Sequence, residues 1–257
     1  MEKILYSRSL NNKSVLNMKI QLTPKERIKQ LRFPKEINKE LAYFCGVLAG
    51  DGSIGFNQKK KDYWIKCVGN PADEKEFYNE LIEPMIKQLF NLEILPKSFD
   101  KDTTYGFNIN SKSLVKYLTE FIGLPLGKKY DKLKIPDIFL DSNELTNSFI
   151  CGVADTDFHL AVRKGYYPVI SGVSKSERFI RDLREFLEKQ GFKCCMYKRD
   201  DNDKRFNKPA ITYRLELSGY NQFLRWTNLI GFKHPKNQDK IKLLIELANK
   251  KNSGGGI

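Results

Sequence analysis

Two segments of the chain alternate apolar and polar residues with a period of two. The first is SIGFN at 53–57 and the second is HLAVR at 159–163. This alternation is typical of β-strands that pack one face on a core and leave the other face open. Helices are predicted at 72–90, with a kink at Pro84, and at 176–190, where Ser176 is the N-cap. Further strands follow each helix, so the order αββαββα occurs twice.

The two αββαββα blocks are copies of one unit. The sequences IGLPLGKKYDK at 122–132 and IGFKHPKNQDK at 230–240 are identical at five of eleven positions, with an offset of 108. Asp51 and Asp157 are 106 residues apart, so a small insertion separates the two registers. We therefore predict an α+β fold made by tandem duplication. The predicted parts are an N-terminal extension (1–36), a first half (37–134), a linker (135–146), a second half (147–251) and a flexible tail (252–257).

One helix in each half carries small residues where a buried helix would normally carry large apolar ones, and an aspartate follows at its end. These helices contain FCGVLAGDGSI at 44–54 and FICGVADTDFHL at 149–160. Helices approach closely only where the facing side chains are small, so we expect the two to pack side by side. The small residues that share a stripe by helical spacing are Gly46, Ala49 and Gly50 in the first copy, and Gly152 and Thr156 in the second.

This packing would bring the carboxylates of Asp51 and Asp157 together at two helix C-termini. Each carboxylate then opposes its helix dipole and repels the other. A divalent cation of the magnesium type resolves both conflicts, and paired carboxylates around metal ions suit phosphodiester hydrolysis. The alternative is that each aspartate only caps the turn after its helix. The occurrence of the pair inside one repeat of a basic protein favours the metal site.

Charge and cysteine content narrow the partners and the compartment. The chain of 257 residues carries 45 lysines and arginines against 31 acidic residues, a net charge of +14. Such an excess favours a polyanionic partner, above all nucleic acid, although a lysine-rich genome produces the same bias. The five cysteines include no CxxC pair, so we expect free thiols in an intracellular, reducing compartment. Membrane-spanning and secretory segments are not predicted.

The paired sequences CGVLAGDGSI and CGVADTDFHL resemble the motifs of the LAGLIDADG homing endonucleases, in their single-chain, two-motif form. The resemblance covers roughly 36–247 and implies two saddle-shaped antiparallel sheets around a central pair of motif helices. It also implies a monomeric DNA endonuclease that cuts both strands of a long double-stranded target, with one aspartate per strand. Mg²⁺ is the implied cofactor; Mn²⁺ would substitute for it, and Ca²⁺ would support binding only. The carbonyl groups of Gly50 and Thr156 would join the metal shell.

The resemblance and the repeat also nominate basic and DNA-facing residues. Lys128 and Lys236 match across the repeat at positions where the family keeps a basic residue near the scissile phosphates, and such a residue can stabilise developing charge. Lys129 matches Asn237, so we favour Lys128 over it. Solvated or phosphate-anchoring lysines remain the alternative. The predicted DNA contacts are Ser53, Asn57, Lys59, Lys60, Lys61, His159, Ala161, Arg163, Lys164, Lys198 and Arg199.

One departure from the family pattern affects the second motif. Family members normally have glycine after the aspartate, whereas Phe158 follows Asp157. A phenylalanine there could distort the turn, displace Asp157 and slow cleavage of one strand. The competing function is a maturase-like or regulatory protein that binds intron RNA or DNA on the same scaffold with little or no cutting. Retention of both aspartates favours the endonuclease.

Overall fold

The N-terminal extension has regular structure. The computed structural model describes residues 3–10, 14–130, 132–203 and 208–253, so residues 254–257 of the predicted tail lie outside the described chain. Strands β1 (Lys3–Leu10) and β2 (Ser14–Gln21) form an antiparallel hairpin. Helix α1 (Pro24–Ile28) follows, and the Thr23 hydroxyl accepts a hydrogen bond from the Glu26 N–H in a capping box. The sequence had suggested neither element.

The first half contains a four-stranded antiparallel sheet covered by helices. Its elements are α2 (Lys39–Gly50), β3 (Gly52–Asn57), β4 (Asp62–Gly69), α3 (Pro71–Glu76), α4 (Glu83–Phe90), β5 (Lys97–Phe99), β6 (Thr104–Asn110) and α5 (Lys112–Lys116). The strand order is β3-β4-β6-β5. A π-helical segment, Phe77–Ile82, joins α3 to α4, and a second, Tyr117–Ile122, extends α5. The first of these segments lies just before Pro84, where the sequence predicts a kink.

The second half repeats this arrangement. Its elements are α6 (Asp137–Leu140), α7 (Asn143–Asp157), β7 (Phe158–Arg163), β8 (Tyr167–Ser174), α8 (Glu177–Lys189), β9 (Cys195–Asp203), β10 (Lys208–Ser218), α9 (Tyr220–Leu229) and α10 (Pro235–Ser253). The strand order β7-β8-β10-β9 is that of the first sheet. The predicted α+β fold with two antiparallel sheets is therefore confirmed.

Helices cover one face of each sheet and leave the other face open. Phe107 of β6 stacks on Phe44 of α2 with ring centroids 6.3 Å apart. In the second half, Phe158 of β7 stacks on Trp226 of α9 at 5.8 Å. These apolar contacts build the core on the helix side of each sheet. In the described part of the chain, no helix is both long and apolar enough to cross a lipid bilayer.

The central contact of the molecule is the backbone-to-backbone packing of α2 against α7. A methyl group at Gly46 would lie 2.0 Å from the Phe149 carbonyl oxygen, and one at Gly152 would lie 2.1 Å from the Tyr43 carbonyl oxygen. Ala49 is also buried on α2. The facing atoms belong to the backbone of helices and cannot rotate away. Glycine is therefore required at both positions, and the helices meet as the sequence predicts.

Replacing Gly152 by alanine should force the two helices apart. We expect the free energy of unfolding to fall by about 3 kcal/mol or more, the upper end for overpacking, because backbone atoms cannot yield. Gly165→Ala is the control: its φ is +75° and nothing lies within 4 Å of an added methyl group. That control should lose only about 1 kcal/mol, from backbone strain. Urea unfolding measures both, and equal losses would contradict the close packing.

Candidate active site and nucleic-acid interface

The carboxylates of Asp51 and Asp157 lie at adjacent helix ends. Helix α2 ends at Gly50 with Asp51 as its C-cap, and α7 runs through Asp157. A methyl group at Gly50 would clash with the Thr156 hydroxyl and lie 3.4 Å from the carboxyl carbon of Asp157. Burial raises the pKa of Asp51 to about 6. Burial, together with the charge of Asp51, raises the pKa of Asp157 to about 7. The two acids thus share one crowded, poorly solvated position.

Within the first half, Lys129 rather than Lys128 is the lysine whose charge acts on both aspartates. Its ammonium group donates to the carbonyl oxygens of Leu48 at 3.2 Å and Ala49 at 3.0 Å, and also to that of Gly50. Burial lowers the pKa of Lys129, and the charges of Asp157 and Asp51 oppose that shift. The lysine therefore neutralises the carbonyl end of α2 and faces the acids.

This geometry favours Lys129 over the predicted Lys128 as the lysine that acts on the acids. Lys128 lines a cavity of about 490 Å³ together with Gly50 and Asp157, but its charge is not among those that shift the pKa values of the two acids. The preference for Lys128 depends on the offset used to align the two halves. The offset drifts from 106 at the aspartates to 108 further on, and the intermediate offset of 107 pairs Lys129 with Lys236.

Lys236 approaches the acids from the second half. Its charge favours the ionised forms of both Asp51 and Asp157. The segment that carries it is anchored by Asp155, a fully buried carboxylate of α7. Asp155 accepts hydrogen bonds from the Lys233 N–H at 2.9 Å and the Tyr43 hydroxyl at 2.7 Å. Each aspartate is consequently flanked by lysines from both halves.

Phe158 is accommodated without moving Asp157 away from the pair. Phe158 is extended, with φ −103° and ψ 156°, and α7 runs one residue further than α2. Its ring lies over Gly172, the residue opposite it in β8, where a methyl group would come within 2.0 Å of the ring. In the first half the opposite pair is Gly52 and Cys67. In the first half the glycine is on β3 and the larger residue is on β4, whereas in the second half the large residue is on β7 and the glycine is on β8. The distortion expected from Phe158 is therefore not observed.

The donor set at the aspartate pair fits a magnesium-type ion. Among the described residues, no three His, Cys, Asp or Glu side chains cluster tightly enough to hold a metal ion by themselves. The two carboxylates and the carbonyl oxygen of Gly50 are hard oxygen donors, and Mg²⁺ characteristically keeps several water ligands. The Lys129 ammonium group already donates to the carbonyl oxygens at the C-terminus of α2, including that of Gly50, so this helix end attracts a cation. Thr156 lies beside Gly50, and its hydroxyl donates back into α7.

The open face of the first sheet carries a row of polar side chains. Ser53 pairs with Lys66 across β3 and β4, and Lys66 pairs with Asn108 of β6. The predicted DNA contacts include Ser53 but not Lys66 or Asn108, although these residues also lie in segments that alternate with a period of two. The residues that line a 430 Å³ groove on this face are Asn57, Lys60, Asp62, Trp64, Lys66, Phe99, Asn108 and Asn110.

The predicted contacts at the end of β3 lie in its hairpin turn. The side-chain oxygen of Asn57 accepts from the main-chain N–H groups of Lys59 at 3.0 Å and Lys60 at 3.2 Å. Asn57 therefore shapes the turn, and only its amide group remains to contact a ligand. Lys59, Lys60 and Lys61 are exposed, which suits contacts to phosphate rather than to bases.

The open face of the second sheet includes His159, Ala161 and Arg163 in register with β8. His159 is opposite Ser171, and burial with the charges of Lys240 and Lys236 lowers its pKa, so its ring is neutral at neutral pH. Arg163 forms an ion pair with Glu216 at 3.1 Å. That pair must open or be shared before Arg163 can contact a base. Lys164 is exposed at the end of the hairpin.

Lys198, a predicted DNA contact, has the register of the helix-covered side of the second sheet. It pairs with Tyr213, which pairs with Ser174, and this register belongs to the helix-covered side of the sheet. Its charge acts on Glu177 of α8. Arg199, one residue on, has the register of the open face. Side chains alternate along a strand, so a shift of one residue reverses the face.

Comparisons with known proteins confirm the fold. The chain matches the homing endonuclease I-DmoI in complex with DNA and calcium at a TM-score of 0.56 and 16% identity, covering 79% of this chain and 97% of that one. The complex of I-DmoI with DNA and manganese gives 0.55 and 16%, covering 76% and 98%. I-WcaI bound to its DNA recognition sequence gives 0.51 and 14%, covering 84% and 91%. These likenesses show a shared fold, as the resemblance to the LAGLIDADG family implies.

Sequence relatives share only a segment with this chain. It is 24% identical over 215 residues to glutamine–fructose-6-phosphate aminotransferase of Methanocaldococcus jannaschii, covering 84% of this chain and 18% of that protein. It is 25% identical over 209 residues to a DNA polymerase of Thermococcus litoralis, covering 80% and 12%. The chain thus spans less than a fifth of the length of these curated relatives. No family model matches it.

Replacing Asp51 by asparagine should stabilise the metal-free protein more at pH 8 than at pH 5. The raised pKa of Asp51, about 6, means that the folded state holds this proton more tightly than the unfolded state does. The wild type therefore loses this contribution as the pH rises through about 6. We expect the unfolding free energy of the variant, relative to wild type, to rise by about 1 kcal/mol over this range.

Urea unfolding in EDTA at both pH values measures this difference. Asp239→Asn is the matched control, because the Asp239 side chain is 99% exposed. Its unfolding free energy relative to wild type should be the same at the two pH values. A pH-independent difference for Asp51→Asn would show that Asp51 titrates normally.

Proposed function

We propose that this chain is a sequence-specific, divalent-metal-dependent DNA endonuclease that cuts both strands of a long target site. The observation that carries the proposal is the pair of half-buried carboxylates, Asp51 and Asp157, held side by side between two open polar sheet faces. Clustered carboxylates weaken a fold unless a cation joins them. Lysines from both halves flank the pair, as a site for a polyanionic substrate requires.

The open sheet faces would read the target. A β-ribbon fits the major groove of DNA, where the base edges are distinguishable. The row formed by Ser53, Lys66 and Asn108, with the corresponding row around His159 in the second half, supplies donors and acceptors for the bases. The exposed lysines of the hairpin turns would contact phosphates. Because the two halves lie on one chain, we expect a monomer to cover the whole site.

Catalysis would occur where the two halves meet. Asp51, Asp157 and the carbonyl groups of Gly50 and Thr156 would hold divalent metal ions. Bound metal would polarise the scissile phosphate and lower the pKa of a water molecule. Lys129 and Lys236 would stabilise the negative charge that develops on the phosphate oxygens. Partial burial of the acids limits their contact with bulk water and strengthens each of these interactions.

The comparisons support this proposal in two ways. The structural neighbours include homing endonucleases crystallised with DNA and metal ions. The sequence relatives have unrelated activities, an aminotransferase and a DNA polymerase among them, yet match the chain over similar lengths. A segment common to such different proteins is not the source of either activity. We therefore assign neither the aminotransferase nor the polymerase activity to this chain. An inserted endonuclease module explains the shared segment.

Cleavage of a selected duplex tests the proposal. Duplexes bound in Ca²⁺ are selected from random DNA, and the strands are followed separately after Mg²⁺ is supplied. We expect the wild type to cut both strands, and Asp51→Asn and Asp157→Asn each to abolish double-strand breaks while still binding DNA in Ca²⁺. Tight binding without any cutting, in Mg²⁺ or Mn²⁺, would instead establish a maturase-like or regulatory binding protein; intron RNA would then be the next ligand to test.

Two neighbouring lysines provide a matched pair for the same assay. Lys129→Met removes the charge beside the acids, so we expect cleavage to slow by about 100-fold or more, as for loss of one preorganised transition-state contact. Lys128→Met removes the same charge one residue away and should slow cleavage far less. Single-turnover rates in Mg²⁺ decide between them, and the reverse order would restore Lys128 as the catalytic lysine.

A further inference from the structure

A polar cluster lies beside Asp51 at the boundary between the halves, and the proposed mechanism does not use it. Glu74 of α3 places one carboxylate oxygen 3.7 Å from the Lys236 ammonium and 3.9 Å from Nε2 of His234. The Glu74 side chain is 8% exposed and that of His234 is 0% exposed, whereas Lys236 is 29% exposed. The glutamate belongs to the first half, while the histidine and the lysine belong to the second.

Burial of Glu74 destabilises the fold, whereas burial of Glu26 is compensated by hydrogen bonds. Glu26 accepts hydrogen bonds from the hydroxyl groups of Ser111 and Ser113, both at 2.6 Å, and also from main-chain N–H groups. By contrast, Oε2 of Glu74 has no hydrogen-bond partner among the described residues. A buried carboxylate that is so poorly satisfied destabilises a protein. The presence of so poorly satisfied a carboxylate next to Lys236 points to a role at the site.

His234 fixes the segment that carries Lys236. Its ring stacks on Phe77 of the first half, with centroids 4.4 Å apart and planes 10° apart. Its Nδ1 accepts the main-chain N–H of Lys236 at 3.1 Å. In the neutral ring the proton therefore resides on Nε2, which faces Glu74. The glutamate thus faces two donors of the second half, one of them the lysine of the candidate active site.

Among the described residues of the second half, no equivalent of this cluster is present. Asn70 caps α3 and Ser176 caps α8. Glu74 lies four residues after its cap, and the residue four after Ser176 is Ile180, which is buried. Lys129 is held instead by the main-chain carbonyl groups of α2. The two lysines at the acids are therefore held by different means.

We propose that Glu74 is a positioning residue that, together with His234, holds Lys236 beside the aspartate pair. The inference rests on the proposed endonuclease function and adds a specific dependence to it. Lys236 has a long, flexible side chain, and the carboxylate restricts its ammonium group to the side of the site that faces Asp51. Loss of Glu74 then acts on cleavage through Lys236, and it affects the strands as loss of Lys236 does.

A double-mutant cycle on the selected duplex tests this proposal. Single-turnover rates of each strand in Mg²⁺ are measured for wild type, Glu74→Gln, Lys236→Met and the double variant. We expect Glu74→Gln to slow cleavage by about tenfold, with the same strand preference as Lys236→Met and unchanged affinity for DNA in Ca²⁺. In the Lys236→Met background, Glu74→Gln should cause no further loss.

Glu26→Gln is the matched control, since it neutralises a buried glutamate of the N-terminal extension whose hydrogen-bond partners include Ser111 and Ser113 and whose charge does not act on the acids. It should lower the thermal midpoint and leave the ratio of strand rates unchanged. If Glu74→Gln does not fold, Glu74→Asp keeps the charge but withdraws it by one methylene group, and it should slow the same strand. Wild-type rates in the folded Glu74 variants, or an additive loss in the double variant, would overturn the positioning role and leave the endonuclease intact. A wild type that cuts neither strand would overturn both.

Discussion

The contact on which the rest of the structure depends is the packing of α2 against α7 through glycine. Gly46 and Gly152 each face a carbonyl oxygen of the other helix at a distance that excludes any side chain. Two helices that touch through their backbones must end close together. The position of Asp51 beside Asp157 therefore depends on glycine, which has no side chain, at positions 46 and 152. The same pair of helices also determines where the two sheets lie.

The close approach creates an electrostatic problem that the molecule solves only in part. Two carboxylates lie at helix C-termini, where the helix dipoles disfavour negative charge. Lys129 neutralises the carbonyl end of α2, and Lys236 approaches from the other half, but the pKa values of both acids remain raised. The remaining imbalance favours binding of a cation. Stability is thus sacrificed where the proposed chemistry requires charge, as is common at functional sites.

The sequence predicted the duplication, the strand alternation and the two helices that carry small residues, because each has a period or a repeated motif. Prediction from sequence failed where a residue's position depended on the exact register of the chain, or on contact with a residue far away in the sequence. Lys129 was passed over because the repeat offset changes between the aspartates and the lysines. Lys198 was predicted as a DNA contact, but its register is that of the helix-covered side, because a strand reverses its face at every residue. The effect of Phe158 could not be predicted, because the space for its ring comes from Gly172 on another strand.

The two halves have diverged at the site while keeping one fold, and this divergence explains why comparing them misled at Lys129 and at Phe158. Phe158 and Gly172 replace Gly52 and Cys67 as the opposing pair, and Glu74 has Ile180 as its counterpart. In a symmetric homodimer, every substitution appears at both sites. A single chain is free of that constraint, so a buried glutamate can serve one lysine without a copy beside the other. Fusion of the halves therefore permits two centres that share a geometry but differ in how each lysine is held.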